Sequence, residues 1–161
     1  MMITQLDIVK NFTYKDGHLY WKKARSGIQV NNCAGCIDSK GYLRIKFNGK
    51  KYLNHRLIYL MHYGYLPKML DHIDNNRSNN KIENLRPATR SENLKNTLLR
   101  CDNSSGHKNV QFHAPTNKWK VSLRVNGKKK HIGLYDDIEI AALVADEARK
   151  LHNGVYANKR A

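Results

Sequence analysis

Four residues near the middle of the chain are of the types that phosphodiester hydrolysis requires. Asp71 and His72 are adjacent, Asn84 lies twelve residues after His72, and Asn93 lies twenty-one residues after it. Hydrolysing a phosphodiester takes a water molecule, a base that accepts its proton, and a cation that offsets the charge building on the phosphate. Imidazole has an ordinary pKa of about 6.5, so His72 is the candidate base near neutral pH.

Asp71 and Asn93 are the candidate ligands of the cation. Mg²⁺ prefers oxygen ligands and keeps several of its waters, so one carboxylate and one amide oxygen suffice beside the phosphate. Asn84 is predicted to accept a hydrogen bond from the His72 ring and so fix its tautomer. Adjacent residues of a flat strand point to opposite faces, so Asp71 and His72 can share a site only where the strand twists or bends.

The same residues also fit a purely structural hairpin. Asparagine favours turns and helix caps, and the polar run from Asn75 to Asn80 contains four asparagines. Residue types alone therefore leave the catalytic and the structural interpretations equally open.

Two short strands and a helix must position the candidate residues. The sequences LDHID and IENLR predict an antiparallel hairpin with Asn84 on its returning strand. Thr89 and Glu92 predict a capping box, so a helix is expected to begin there, run to about Leu99 and carry Asn93 in its first turn.

Further elements are predicted upstream. Asp-Gly at residues 16–17 and Asn-Gly at residues 48–49 tolerate the positive φ of tight turns, so each predicts a hairpin. The apolar spacing at Leu57, Ile58 and Met61 predicts a helix, which Gly64 is placed to end.

A second module is predicted after a polar linker at residues 100–109. VQFH, KWKVSLRV and KKKHIGLY predict three strands, and Asp136 with Glu139 predicts the cap of a helix from Ile138 to His152. Period-two alternation gives the middle strand an apolar face for that helix and a basic opposite face. The polar face is expected to enter a DNA major groove; the alternative is a solvated basic surface. It consists of Gln111, His113, Lys120, Ser122, Arg124, Lys129 and His131.

Composition narrows the class of protein. The net charge is +16, from 29 Lys plus Arg against 13 Asp plus Glu, which predicts a polyanionic partner such as double-stranded DNA. The absence of a long apolar run and the odd number of cysteines argue against membrane binding and secretion, so a cytoplasmic protein is expected. Cys33 and Cys36 have zinc-like spacing without a second pair, which leaves a zinc site open.

The segment HRLIYLMHYGYLPKMLDHIDNNRSNNKIENLRPATRSENLKN, residues 55–96, resembles HNH endonucleases of the phage and intron-homing type. The resemblance implies that Asp71 and Asn93 hold the divalent metal, that His72 is the general base and that Asn84 orients it. Asparagine at position 93, where many members have histidine, favours Mg²⁺ or Mn²⁺.

Four residues outside the catalytic motif are candidates for phosphate contacts. His55 and Arg56 belong to the HNH resemblance, and their alternative role is to dock a helix end onto the catalytic hairpin. Arg44 and Lys46 are candidates through their charge.

Residues 104–159 resemble the ethylene-response-factor DNA-binding domain, whose three-stranded sheet reads DNA. The resemblance maps DNA contact onto the polar face named above. Arg-Gly-Val of the plant motif is Lys108-Asn109-Val110 here, and several base-reading arginines are Gln, His or Lys. Sequence preference therefore cannot be inherited from the plant proteins.

Together these patterns predict an α+β protein that is a site-recognising DNA endonuclease. Residues 1–99 would form a β-rich region with the HNH unit at 53–99, and residues 100–161 the linker and DNA-binding domain. One catalytic motif per chain favours a monomer over a dimer on DNA. The alternatives are a non-catalytic DNA-binding regulator that uses the HNH unit as scaffold, and an RNA-directed nuclease.

Overall fold

The computed structural model describes residues 3–24 and 27–157. The chain forms two compact units, residues 1–90 and residues 91–161. Small antiparallel sheets and helices make up both units, which confirms the predicted α+β class. In the described part of the chain, no helix has the length and apolar character needed to cross a membrane.

The first unit consists of short elements joined by tight turns. In chain order they are α1 (Gln5–Asn11), β1 (Phe12–Lys15), β2 (His18–Trp21), β3 (Cys36–Ile37), β4 (Leu43–Phe47), β5 (Lys50–Leu53), α2 (Asn54–Tyr63), β6 (Leu70–His72) and β7 (Leu85–Pro87). Strands β1 and β2 form one hairpin, β4 lies between β3 and β5 in a second sheet, and β6 pairs with β7.

The turns of the first unit follow the sequence closely. Asp16 and Gly17 have φ of 47° and 80°, and Asn48 and Gly49 have φ of 49° and 76°. Both pairs thus adopt the left-handed conformation of tight hairpin turns, which confirms the two upstream hairpins. Gly64 ends α2 with φ of 75°, a left-handed conformation that glycine adopts without strain.

One helix of this unit was not predicted. Thr4 caps α1, and the side chain of Asp7 accepts a hydrogen bond from the Thr4 backbone in return. This is a capping box in which aspartate takes the place of the usual Glu or Gln. It buries Ile8 against the first hairpin.

The core of the first unit forms where α2 packs on the sheets. Strand β4 alternates between buried and exposed residues, so Arg44 and Lys46 point outward while Leu43, Ile45 and Phe47 are buried. The core residues are Ile8, Phe12, Leu19, Trp21, Ala34, Ile45, Phe47, Leu57, Ile58, Tyr59, Leu60 and Leu85. Leu85 ties the β6–β7 hairpin to this core.

The second unit contains a three-stranded sheet and a long helix. Helix α3 (Arg90–Lys95) begins in the first unit and continues into the second, where it is followed by β8 (Val110–His113), β9 (Lys118–Val125), β10 (Lys128–Tyr135) and α4 (Ile138–Asn153). Strand β9 is central, as predicted. Val110 and Val121 pack on Ala141 and Ala145, because small helix residues let α4 approach the sheet closely.

Two local predictions for this part of the chain were wrong. Helix α3 ends at Lys95 and does not reach Leu99; the ammonium group of Lys108 donates to the carbonyl oxygens of Lys95 and Thr97. The cap of α4 is Asp137, not Asp136, and its side chain accepts from the next backbone amides of the helix. Asp136 instead forms an ion pair with Lys118.

The buried residues of the first hairpin should dominate the stability of the first unit. Leu19 is 0% exposed, whereas Leu6 is 61% exposed. We expect Leu19→Ala to lower the free energy of unfolding by about 2–5 kcal/mol, and Leu6→Ala to change it by less than about 0.5 kcal/mol. Urea denaturation followed by tryptophan fluorescence measures both, and equal stability of the two variants would contradict this core.

Candidate active site

His72 is buried at the end of strand β6. Its side chain is only 6% exposed, and its Nε2 atom lies 3.0 Å from Oδ1 of Asn80. An amide oxygen only accepts hydrogen bonds, so Nε2 is the donor in this contact, and the tautomer that makes it has its lone pair on Nδ1. That is the arrangement in which a histidine can take a proton through Nδ1.

Asp71 is held by an arginine on the neighbouring strand. Arg86 is its register partner on β7, and Nε and the terminal nitrogen of Arg86 donate to Oδ2 of Asp71 at 2.9 and 2.8 Å. Asp71 is 4% exposed, so the guanidinium supplies the positive charge that a buried carboxylate needs.

Asp71 and His72 have different neighbours, as strand geometry requires. Paired residues of adjacent strands lie on one face, so Asp71 lies with Arg86 and His72 lies with Leu85 on the other face. His72 is the last residue of β6, so the strand ends at the point where a bend is needed to bring both side chains to one phosphate.

The loop that connects β6 to β7 is closed by Asp74 and Asn84. Oδ1 of Asn84 accepts from the backbone N–H of Asp74, while Nδ2 of Asn84 donates to Oδ1 of Asp74 and to the carbonyl oxygen of Asn79. The side chain of Asn79 donates to the other carboxylate oxygen of Asp74. Burial acts to raise the pKa of Asp74, but the hydrogen bonds from Asn79, the Asn76 backbone and Asn84 outweigh it and lower the pKa below its usual value.

The predicted hydrogen bond between Asn84 and the His72 ring is not made, and this corrects the expected arrangement. Asn84 ends a short 3₁₀ turn that precedes β7, and its amide is occupied by Asp74 and Asn79. Asn80 contacts the ring instead. The sequence offered a weak signal for Asn80, since asparagine in a polar run is expected to serve as a turn residue.

His55, at the start of α2, packs against His72 and not on the surface. The two ring centroids lie 4.9 Å apart at 72°, an edge-to-face contact, and Tyr42 flanks both rings. His55 is 5% exposed, and burial, followed by the nearby His72 and Arg56, lowers its pKa to about 3. A neutral, buried ring has no charge to offer a phosphate, which favours the alternative role predicted for His55. The alternative, docking of the helix end onto the hairpin, agrees with the structure.

Arg56 and the two outward residues of β4, Arg44 and Lys46, differ from one another in burial and in their partners. Arg56 is half-buried and donates to the carbonyl oxygen of Pro67. Arg44 and Lys46 are exposed, and Nε of Arg44 lies 2.5 Å from a carboxylate oxygen of Asp38. Of these three cations, Lys46 has no described ion pair, whereas Arg44 is partly neutralised.

The candidate metal ligands are oxygen donors, which is the type of ligand that a hard cation prefers. Asp71 offers carboxylate oxygen, and the predicted second ligand, Asn93, is a half-buried residue of α3 in the part of the chain that belongs to the second unit. Within residues 3–24 and 27–157, no group of three or more His, Cys, Asp or Glu residues is arranged to hold a metal. A nitrogen- and sulfur-rich zinc site is therefore not formed by the described residues, and Cys33 and Cys36 are both exposed.

In the second unit, the strand register brings the predicted DNA-contact residues to one face. On one side of β9, Gln111 pairs with Lys120 and His113 pairs with Lys118. On its other side, His131 pairs with Ser122 and Lys129 pairs with Arg124. We call the seven predicted residues the polar face: Gln111, His113, Lys120, Ser122, Arg124, Lys129 and His131.

Part of the polar face lines a cavity of about 560 Å³. Gln111, Ser122, Arg124 and Lys129 contribute to it, together with residues from Thr97 to Ser104. The segment predicted as a linker thus lies beside this face. Ser105 fixes it there, because its buried hydroxyl is within hydrogen-bonding distance of the carbonyl oxygens of His107 and Val110.

Comparison with known protein families identifies the class of one part of the chain. Residues 52–95, which include α2 and the β6–β7 hairpin, match the family model described as HNH endonuclease. The chain therefore carries an HNH endonuclease domain. The match does not extend to the three-stranded sheet, so the ethylene-response-factor resemblance is not supported by it.

A phage protein provides the second comparison. Protein 3.8 of Escherichia phage T7 is 32% identical over 99 residues, which cover 60% of this chain and 81% of that protein. The chain belongs to the same family as T7 protein 3.8. No solved structure gives a significant match.

The buried His55 should make the protein sensitive to mild acid. The folded state keeps this ring neutral down to about pH 3, whereas the unfolded chain binds a proton at about pH 6.5. As the pH falls between these values the unfolded state binds more protons, so the free energy of unfolding falls by up to about 1.4 kcal/mol per pH unit.

Denaturation between pH 7 and pH 5 tests this expectation, because carboxylates titrate mainly below about pH 5. His55→Phe keeps a ring against His72 and should remove about one proton from the pH dependence. His131→Phe, at an exposed position, is the matched control. An unchanged slope in the His55 variant would contradict a neutral, buried ring.

Proposed function

We propose that this protein is a metal-dependent DNA endonuclease of the homing HNH type. The observation that carries the proposal is the buried His72 ring, hydrogen-bonded through Nε2 by Asn80 inside the segment that matches HNH endonucleases. A ring in this tautomer can accept the proton of a water molecule at Nδ1 while that water attacks phosphorus.

Asp71 and Asn93 are the proposed ligands of Mg²⁺ or Mn²⁺. A divalent cation would offset the negative charge that develops on the phosphate and on the leaving oxygen. Arg86 holds the Asp71 carboxylate in place. Asn84 acts in this proposal by closing the loop that carries Asn80, and so supports His72 indirectly.

The proposed substrate is double-stranded DNA, bound by the second unit through the polar face. The alternating pattern of β9 supports this role, since apolar residues pack on α4 and leave basic residues on the other side. A two-stranded or three-stranded ribbon of this kind fits a major groove. The likeness to ethylene-response-factor domains remains part of this proposal, with Arg44 and Lys46 as further phosphate contacts and one chain acting as a monomer.

One observation favours a second candidate function. Arg86 already neutralises Asp71, as it would in a protein that uses the HNH domain only as scaffold. Such a protein would be a DNA-binding regulator without catalysis. Cleavage assays separate the two candidates.

Replacing the proposed base should abolish most cleavage. With plasmid DNA and Mg²⁺, His72→Ala should lower the rate by about 10²–10⁴-fold, and EDTA should stop cleavage by the wild-type protein. His152→Ala, in the last turn of α4, is the control and should cut normally. Absence of nicking or cutting by the wild type on any DNA, including the region around its own gene, would favour the regulator.

Replacing two cations of the polar face should weaken DNA binding and leave the chemistry intact. In the double variant Arg124→Gln with Lys129→Gln, the dependence of log affinity on log salt should become shallower by about 0.9 for each phosphate that the protein no longer neutralises. Lys128→Gln with Lys130→Gln removes the same charge from the other face of the sheet, since these residues pair with Val125 and Leu123. Equal weakening in both double variants would mean that the polar face has no special role.

A further inference from the structure

Asn80 is a fully buried side chain that contacts His72. It is 1% exposed, and its Oδ1 accepts the hydrogen bond from Nε2 across 3.0 Å. We propose that Asn80, held in place by the β1–β2 hairpin, is a positioning residue that fixes the tautomer and the orientation of the His72 ring. The inference rests on the proposed function, in which His72 is the general base.

The tip of the β1–β2 hairpin lies directly against the backbone that carries Asn80. A Cβ atom added to Gly17 would lie 2.8 Å from the backbone nitrogen of Lys81 and 3.1 Å from the carbonyl carbon of Asn80. Such distances leave no room for a side chain at position 17. Glycine there meets two demands, the positive φ of the turn and the close approach to the next loop.

A second contact from the same hairpin fixes the residue that follows. The hydroxyl group of Tyr14, on β1, accepts a hydrogen bond from the backbone N–H of Ile82 at 3.2 Å. On the other side of Asn80 in the chain, the carbonyl oxygen of Asn79 accepts a hydrogen bond from the side chain of Asn84. Asn80 therefore lies between a segment fixed by the hairpin and a segment fixed by Asp74 and Asn84.

The orientation of His72 depends on such support because a neutral imidazole has two tautomers. Only the tautomer with hydrogen on Nε2 presents a lone pair at Nδ1, and a base in the wrong tautomer cannot accept the proton of water from that side. His55 adds a steric limit, since its ring packs edge-to-face on His72 and restricts rotation. The N-terminal hairpin thus becomes part of the catalytic apparatus without touching substrate.

The tautomer can be measured directly, without reference to cleavage. Long-range ¹H–¹⁵N correlation spectra of histidine-labelled full-length protein, recorded at a pH where the ring is neutral, distinguish the two forms of His72. The wild type should show hydrogen on Nε2, and Asn80→Ala should show a mixture. The control is Asn76→Ala, whose side chain bonds only Ser78 among the described residues, and it should keep the wild-type tautomer.

Two glycine variants test the role of the hairpin with matched backbone strain. Gly17 and Gly49 have nearly the same φ, 80° and 76°, but a Cβ at Gly49 would meet nothing within 4 Å. Gly17→Ala should disturb the His72 tautomer and Gly49→Ala should not. An identical spectrum of His72 in both variants would overturn the part of the proposal that concerns the hairpin.

Cleavage separates failure of this inference from failure of the proposed function. Asn80→Ala should lower kcat by at least about 10-fold. The loss should not exceed that expected for removal of the base, which is about 10²–10⁴-fold. The KM for DNA should be nearly unchanged. Wild-type protein with hydrogen on Nδ1 overturns the inference even if the protein cuts DNA. Wild-type protein that never cuts refutes the nuclease proposal, while the spectra still decide whether Asn80 fixes the ring.

Discussion

The geometry of the candidate site depends on one partly buried carboxylate, Asp74, in the loop between β6 and β7. Its two oxygens accept hydrogen bonds from the Asn84 and Asn79 side chains and from the Asn76 backbone. The Asn84 side chain in turn binds the backbone of residues 74 and 79. The connection between the two strands would otherwise have considerable conformational freedom. This network fixes Asn79, and Asn80 follows it in the chain and reaches His72.

The sequence predicted the regular elements well because short-range rules govern them. Asp16-Gly17 and Asn48-Gly49 specify their turns through backbone sterics alone, and the alternation of β9 specifies which face meets α4. Where two adjacent residues are of the same type, tertiary contacts decide which of them takes a given structural role. Asp136 and Asp137 are both good caps, but Lys118 pairs with the first and the second is left to cap α4.

The sequence indicated which residue types the candidate site contains, but not which hydrogen bonds these residues make. The adjacent Asp71 and His72 were recognisable from the residues that surround them, because hydrolysis of a phosphodiester calls for a base and a cation ligand close together. Which asparagine would reach the ring was not recognisable, since Asn79, Asn80 and Asn84 are chemically identical. The choice depends on contacts with Gly17 and Tyr14, more than sixty residues earlier in the chain.

The pairing of Arg86 with Asp71 bears on how strongly the proposed cation would bind. A carboxylate at 4% exposure is costly without a positive partner, and Arg86 provides one from the neighbouring strand. A divalent cation at Asp71 therefore gains less than it would at an unpaired carboxylate, because the carboxylate is already neutralised. A DNA phosphate bound at the proposed site would add negative charge there and restore that gain. On electrostatic grounds, cation and DNA should thus bind cooperatively, each strengthening the binding of the other.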